Sequence, residues 1–229
     1  MARILVVLVI CGGAFLGMGC PEKRAERPGV VAAGDRPAAH ATAPAQPPAP
    51  VTPPAPPPPP DPARGEPVAW VVDHYIYVDD VKGKRLGGLV GGPLGEEFAR
   101  QNHIEPTEEQ LARCERLLRS WPEREDAQIE AERREMARGM VTGWLIDKAL
   151  YERHGGVVIF QQANPSEPVG AYRAFFEEQE RLGRFKIFDA GQREEFWAYY
   201  TREHPFQVPK DEVDFSRPWW EKPVPADRR

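Results

Sequence analysis

From Ser120 to Gly156 the chain carries a helix with both ends marked in the residues. Ser120 and Glu123 have the S-x-x-E spacing of a capping box, and Pro122 falls in the first turn, where a missing N–H costs little. Glu123, Glu125 and Asp126 place negative charge at the positive end of the helix dipole. Arg153 and His154 precede Gly155-Gly156, which supply the left-handed residue that stops a helix. Between these ends Ile129, Met136, Met140, Val141, Trp144, Leu145 and Ala149 recur at spacings of three and four, the period of one helical face. The first half is mostly charged, and the apolar part runs from Met136 to Tyr151. Such a helix projects its start into solvent and buries its end. Everything else that folds must pack around that buried half, and no catalytic motif lies on it.

The segment before the folded part points to export. Arg3 is a short basic region, Ile4 to Ile10 an apolar one, and Gly17-Met18-Gly19-Cys20 a small-residue cleavage region. The stretch from Ile4 to Gly19 is too short and too rich in glycine to be a good membrane span. An apolar run ending in Gly-Cys resembles the lipobox of bacterial lipoproteins, although Leu16 lies four residues before Cys20 and Gly17 stands in the usual leucine position. The resemblance implies that residues 1–19 are removed and that Cys20 is lipidated, and Pro21 after it favours the outer membrane over inner-membrane retention. Several acyl chains on one residue make a stable anchor. An ordinary cleaved signal and an uncleaved anchor are the competing readings.

Of three cysteines, Cys11 falls in the signal and Cys20 at its end, which leaves Cys114 alone. A single thiol cannot close an internal disulfide, so the fold must rely on its core. Cys114 follows a helical Ala-Arg in a charged helix without an adjacent histidine, which reads as a buried or incidental thiol rather than a nucleophile.

From Cys20 to residue 65 the composition shifts to proline, alanine and small polar residues, densest in PPAPVTPPAPPPPPDP. With few apolar side chains to offset ordering entropy, this linker is expected to be disordered. Its proline runs favour extended polyproline II at ~3.1 Å per residue, a semi-rigid stalk. A ligand for a proline-reading domain is the functional alternative. The remainder, residues 66–206, suffices for one domain with a real core, followed by a loosely ordered tail, 207–229, with Trp219-Trp220 near its end. The formal charge of −5 offers no general attraction for nucleic acid or anionic lipid.

Within the domain, PVAWVVDHYIYVDDV is rich in β-branched and aromatic residues and reads as two short strands with a turn near Asp73-His74. A helical stretch opens at Asp79-Asp80 and continues past Gly87, Gly88, Gly91, Gly92 and Pro93 to Asn102. Each glycine weakens it by ~1 kcal/mol against alanine, and together they permit close helix packing. GGLVGG lacks the lysine-serine and strand context of a phosphate loop. Thr107 and Gln110 cap a helix carrying Leu111, Cys114, Leu117 and Leu118. After Gly156 come a short apolar run (VVIFQQ), turn chemistry at Asn164 to Glu167, a helix from Pro168 to Leu182, an extended piece from Arg184 to Phe188, and a helix capped by Asp189 with Gln192. The fold class is therefore mainly α: a single helical domain with one long central helix and a few short strands.

The motif VAWVVDHYIYVDDV, with a following helix ending FARQNHIEPTEEQL, resembles the opening of the SurA/PrsA-type periplasmic foldases. Val68, Ala69, Val71, Ile76, Asp80 and Val81 match the first family pattern. Ala99, Ile104, Pro106, Thr107, Glu108, Glu109 and Leu111 match the second, and Leu145, Ile146 and Leu150 a third on the long helix. Val72-Asp73 stands where the family has an Asn-Gly turn. The likeness covers about Val68 to Tyr151, and nothing downstream resembles the parvulin isomerase domain. It implies a chaperone module without prolyl isomerase activity.

His74, His103, His154 and His204 form no i, i+4 pair, and no cysteine or carboxylate cluster completes a metal site, so neither metal nor cofactor is expected. Gln161 and Gln162, with Glu177 and Glu178, read as solvated surface before a polar pocket. No Ser/His/Asp arrangement appears, and no enzyme is expected. The aromatics of the last two helices exceed what one face of each would bury. Met136, Met140, Trp144, Tyr172, Phe175, Phe176, Trp197 and Tyr200 are the candidates for an apolar groove, between the long helix and the C-terminal helices, that holds unfolded or extended polypeptide. The expected protein is a membrane-anchored periplasmic chaperone. The alternative is an assembly lipoprotein that binds one fixed envelope partner.

Overall fold

The residues described, in a computed structural model, are 59–119, 127–161 and 164–222. The signal, Cys20, the proline-rich stretch up to Pro58, the Ser120/Glu123 box, Gln162 and the chain beyond Lys222 lie outside the described residues.

Pro67–Val71 (β1) and His74–Tyr77 (β2) form an antiparallel hairpin, and Phe185–Ile187 (β3) joins the other edge of β1, giving the order β2-β1-β3. The hairpin turns at Val72-Asp73, where Val72 takes φ +56°. Left-handed backbone costs a β-branched residue about 1–2 kcal/mol. Here it is held by a 2.7 Å bond from Val72 N–H to the Arg184 carbonyl and by packing of the half-buried side chain on the core. Cross-strand partners share a face. Ala69, Ile76 and Ile187 therefore point to the core side, while Trp70, Tyr75 and Lys186 point to the other.

The helical stretch expected from Asp79 to Asn102 is interrupted. Val78–Val81 (α1) is one turn, Gly83 at φ +69° breaks the chain, and Leu86–Gln101 (α2) starts afresh. Pro93 removes one intrahelical bond, but α2 runs through it because Leu86, Val90, Leu94 and Phe98 are buried along one face. Gly91 lets Phe176 come close: a methyl group there would meet its ring at 3.4 Å. The expected close packing at the glycines is realised at this point.

Glu108–Arg119 (α3) starts in the expected box, with Gln110 N–H donating to Thr107 Oγ1 (3.2 Å) and Thr107 N–H to Gln110 Oε1 (2.8 Å). The long helix is described from Ala127 to His154 (α4) and is stopped by Gly155 and Gly156 at φ +63° and +95°. Its charged first half packs on α3, where Arg134 bridges Glu108 and Glu115. Its second half buries Val141, Trp144, Ile146 and Leu150. Val169–Arg181 (α5) and Ala190–Thr201 (α6) follow, the latter capped by Asp189 accepting from Gln192 N–H at 2.8 Å. The main core lies between the inner sheet face and α2, α5, α6 and the end of α4. At its centre Phe176, 1% exposed, meets the rings of Tyr172, Phe175, Phe185, Phe196 and Tyr200 at 5.1–6.2 Å. Burying such a ring contributes roughly 1.5–3 kcal/mol, and each ring pair about 0.5–1.5 more.

Two boundaries differ from expectation. The tail 207–229 was expected to be loose, yet residues 207–222 lie against the domain. Val208 N–H bonds the Val158 carbonyl (2.8 Å), Phe215 is buried on Tyr151, and Trp220 meets Trp144 edge-on at 6.1 Å. The apolar side of α4 opposite α2 needs a cover, and this segment supplies it. At the other end, the domain begins before residue 66. Asp61 N–H donates to the Tyr77 hydroxyl (2.8 Å), the Arg64 guanidinium lies 4.2 Å over the Tyr77 ring, and Arg64 makes two 2.8 Å bonds to Asp80.

Candidate functional site

The groove expected from the aromatic residues is filled by the protein itself. Phe175 and Phe176 are 2% and 1% exposed, and Trp144, under Trp220, is 7% exposed. Tyr172, Trp197 and Tyr200 pack half-buried against the same core. Met140 is half-buried, its sulfur 3.9 Å from that of Cys114. Met136 alone of the eight stands out, 50% exposed on the outer half of α4. The physical reason is the tail and the sheet: a short three-stranded sheet and a returning chain use the rings that two amphipathic helices alone would have left over. Among the described residues the exposed large apolar side chains are instead Val78, Met136, Val157, Phe188 and Phe206.

What the helices do assemble is a buried network of carboxyls and tyrosines. Asp147 of α4 is 5% exposed, and accepts from the Tyr172 hydroxyl of α5 (2.6 Å) and from Asn164 Nδ2 (2.9 Å). Burial pushes its carboxyl up to about 7, against the lowering pull of these two bonds. Next to it the Tyr199 hydroxyl of α6 donates its one proton between the two carboxylate oxygens of Glu167 (2.9 and 2.8 Å) and accepts from Gln161 Nε2. Burial raises Glu167 as well, while Tyr199 and Arg85 oppose it. The phenols of Tyr172, Tyr199 and Tyr200 are all raised, first by burial and then by these carboxylates. His204 Nε2 lies 2.9 Å from the Tyr199 carbonyl and ties the returning chain to α6. The network pins Gln161, Asn164 and Glu167 to three helices. Asp147 was missed in the sequence, although its position is unusual: one acid inside the apolar half of the long helix.

The second aromatic cluster is on the outer sheet face, away from the helices. Tyr75 stacks on Phe188 (6.3 Å) and faces Tyr77 (6.4 Å), Lys186 Nζ lies 5.6 Å over Phe188, and Arg64 covers Tyr77. Trp70, between Tyr75 and Lys186, is 5% exposed, and its Nε1 has no hydrogen-bond partner among the described residues.

The other candidates separate. Cys114 is buried, and burial with Glu115 and Glu221 nearby pushes its thiol up to about 11, the opposite of an activated nucleophile. Gln161 bonds Tyr199, whereas Glu177 pairs with Arg173 and Glu178 with Arg153, so the three do not line one pocket. Among the described residues no group of histidine, cysteine and carboxylate side chains could hold a metal ion, and no helix is long and apolar enough to cross a membrane.

These features define a mainly helical domain with a small antiparallel sheet and a buried acid–tyrosine network. No protein-family model matches the chain, and no curated protein or solved structure matches it with significance.

Proposed function

We propose that the chain is a membrane-tethered assembly protein of the bacterial envelope, without catalytic activity, whose folded domain engages one fixed partner. The export segment, Cys20 and the proline-rich stalk support the tether, and the resemblance to periplasmic foldases supports the compartment. One observation favours the fixed partner over broad capture of unfolded chains: the aromatic residues that such capture needs are spent in the core, with Phe175, Phe176 and Trp144 all below a tenth exposed. Burial of that kind supports a rigid recognition module better than an adaptable apolar surface. The test has two arms. The full chain is assayed for suppression of aggregation of two unrelated unfolding proteins, and its neighbours in cells are captured by crosslinking. A single recurrent crosslinked partner without suppression agrees with the proposal; suppression of both substrates at near-stoichiometric ratios overturns it in favour of a chaperone. Retention of a Cys20→Ser variant in the membrane fraction would remove the lipid tether from the reading.

A further inference from the structure

The chain that returns over α4 is rooted in a very small piece of structure. Ile159 pairs with Glu167 on one side and with Gln207 on the other, so three short extended pieces lie side by side as a ribbon. The outer piece is carried by Phe160 N–H to the Phe206 carbonyl and Val208 N–H to the Val158 carbonyl, both 2.8 Å. The inner piece is carried by Ile159 N–H to the Glu167 carbonyl (2.8 Å) and Glu167 N–H to the Ile159 carbonyl (3.1 Å). From the outer piece the chain goes on to cover α4, with Phe215 on Tyr151 and Trp220 on Trp144.

The inner piece is also what meets the buried acids. Asn164 Nδ2 donates to Asp147, and the Glu167 carboxyl receives the Tyr199 hydroxyl. The groups acting on Asp147 are Tyr172 of α5, Asn164 and the Glu167 carboxyl. On Glu167 they are Tyr199 of α6 and, from the turn before α2, the exposed Arg85, while Tyr200 lies within its field. The other charges of the surrounding elements are turned elsewhere: Lys148 to Trp144 and Glu152, Glu97 of α2 to Arg184, and His204 to the Tyr199 carbonyl. Two acids therefore share one interior, and among the described residues neither is ion-paired.

We propose that Asp147 and Glu167 form a pH-operated latch: protonated, they hold the ribbon shut, and ionised, they let it part so that the returning chain lifts from α4 and bares Trp144 and Tyr151. A carboxylate enclosed without a cation costs more than its neutral acid, and parting the ribbon gives it water. Opening thus releases a proton. The closed state has the raised acidity constant, so its support is complete in acid and is lost as pH rises through about 7. The ribbon is the part that yields. Asp147 is fixed on a helix whose Val141, Ile146 and Leu150 are buried, and Tyr172 by its stack on Phe176 (5.8 Å), whereas the ribbon consists of isolated bridges. The latch goes beyond the proposed partner binding and does not depend on it.

The test is hydrogen exchange of the full chain at pH 5, 6, 7 and 8, read by mass spectrometry and divided by the intrinsic rate at each pH. Fragments from residues 204–222 should open about tenfold more per pH unit between 5 and 7 and then level off. At every pH they should open more than fragments of α2 and α5, which exchange only by global unfolding. Asp147→Asn should remove most of the pH dependence. Tyr172→Phe loses a donor that favours the charged form, so the levelling-off should move above pH 7. Protection of residues 204–222 that is the same at all four pH values overturns the proposal. Opening no greater than that of α2 and α5 overturns it in favour of global unfolding. A pH dependence that survives in the Asp147→Asn, Glu167→Gln double variant assigns it to other groups and overturns it too.

Discussion

The hydroxyl of Tyr172 donates a 2.6 Å hydrogen bond to Oδ1 of Asp147, joining α5 to α4 inside the protein. Because burial, against the lowering pull of this bond, holds the Asp147 carboxyl near 7 rather than at its ordinary 3.8, stability depends on pH. The folded pKa is raised, so the contribution is complete below about 3.8 and is lost as pH rises through about 7. Between those limits the domain should lose at most about 4 kcal/mol of stability from this group. Urea unfolding at pH 5 and pH 8 measures it. An Asp147→Asn variant should flatten the dependence over that window, and an unchanged slope would refute the assignment.

Gly156 and Gly170 lie back to back. A methyl group on Gly170 would stand 2.4 Å from the Val157 nitrogen and 2.9 Å from the Gly156 Cα, both backbone atoms that cannot swing aside. Gly170→Ala should therefore destabilise by about 1–3 kcal/mol or more through overpacking. Gly139→Ala, where nothing lies within 4 Å, should be neutral or stabilising. Thermal melts of both variants provide the comparison.

Cys114 should be inert in the folded protein. Its thiol is buried and held near 11, so little thiolate exists at pH 8. Reaction with a thiol reagent should proceed only through unfolding, and its rate should rise with denaturant in step with the unfolded fraction. Rapid modification of the native chain would contradict this.

The Thr107/Gln110 box lies on an exposed helix start. Thr107→Ala should cost about 1 kcal/mol, seen in the denaturation midpoint. Phe176→Ala, at the centre of the ring cluster, should cost roughly 3–5 kcal/mol and could leave the domain unfolded at ordinary temperature. A ratio near one between the two effects would mean that Phe176 is not the centre of the core.

Much of the architecture was legible because it is written in local chemistry. The Thr107 and Asp189 caps and the Gly155-Gly156 stop act over four residues or fewer and stand at those residues in the structure, while of the apolar positions on α4 Val141 and Trp144 are buried and Met136 is exposed. The break at residues 82–85 was not legible, because a glycine inside a helical pattern reads only as a weak point, and the positive φ of Gly83 and the extended Lys82 and Arg85 belong to the structure. The burial of the candidate rings was not legible for the opposite reason. Periodicity shows that Tyr172, Phe175, Phe176 and Trp197 share helical faces, but it does not show how many other elements compete to cover them.

By itself, then, the sequence determined most of the helices, the Thr107 and Asp189 caps, the Gly155-Gly156 stop, the strand-rich opening and the proline-rich approach to Asp61. Tertiary structure alone decided which rings are buried, that Asp147 meets Tyr172 twenty-five residues on, and that the chain after His204 returns to Trp144. Caps and periodicities are set by backbone geometry within a turn or two. Burial and carboxyl acidity depend on what arrives from distant parts of the chain, and no local pattern records that arrival.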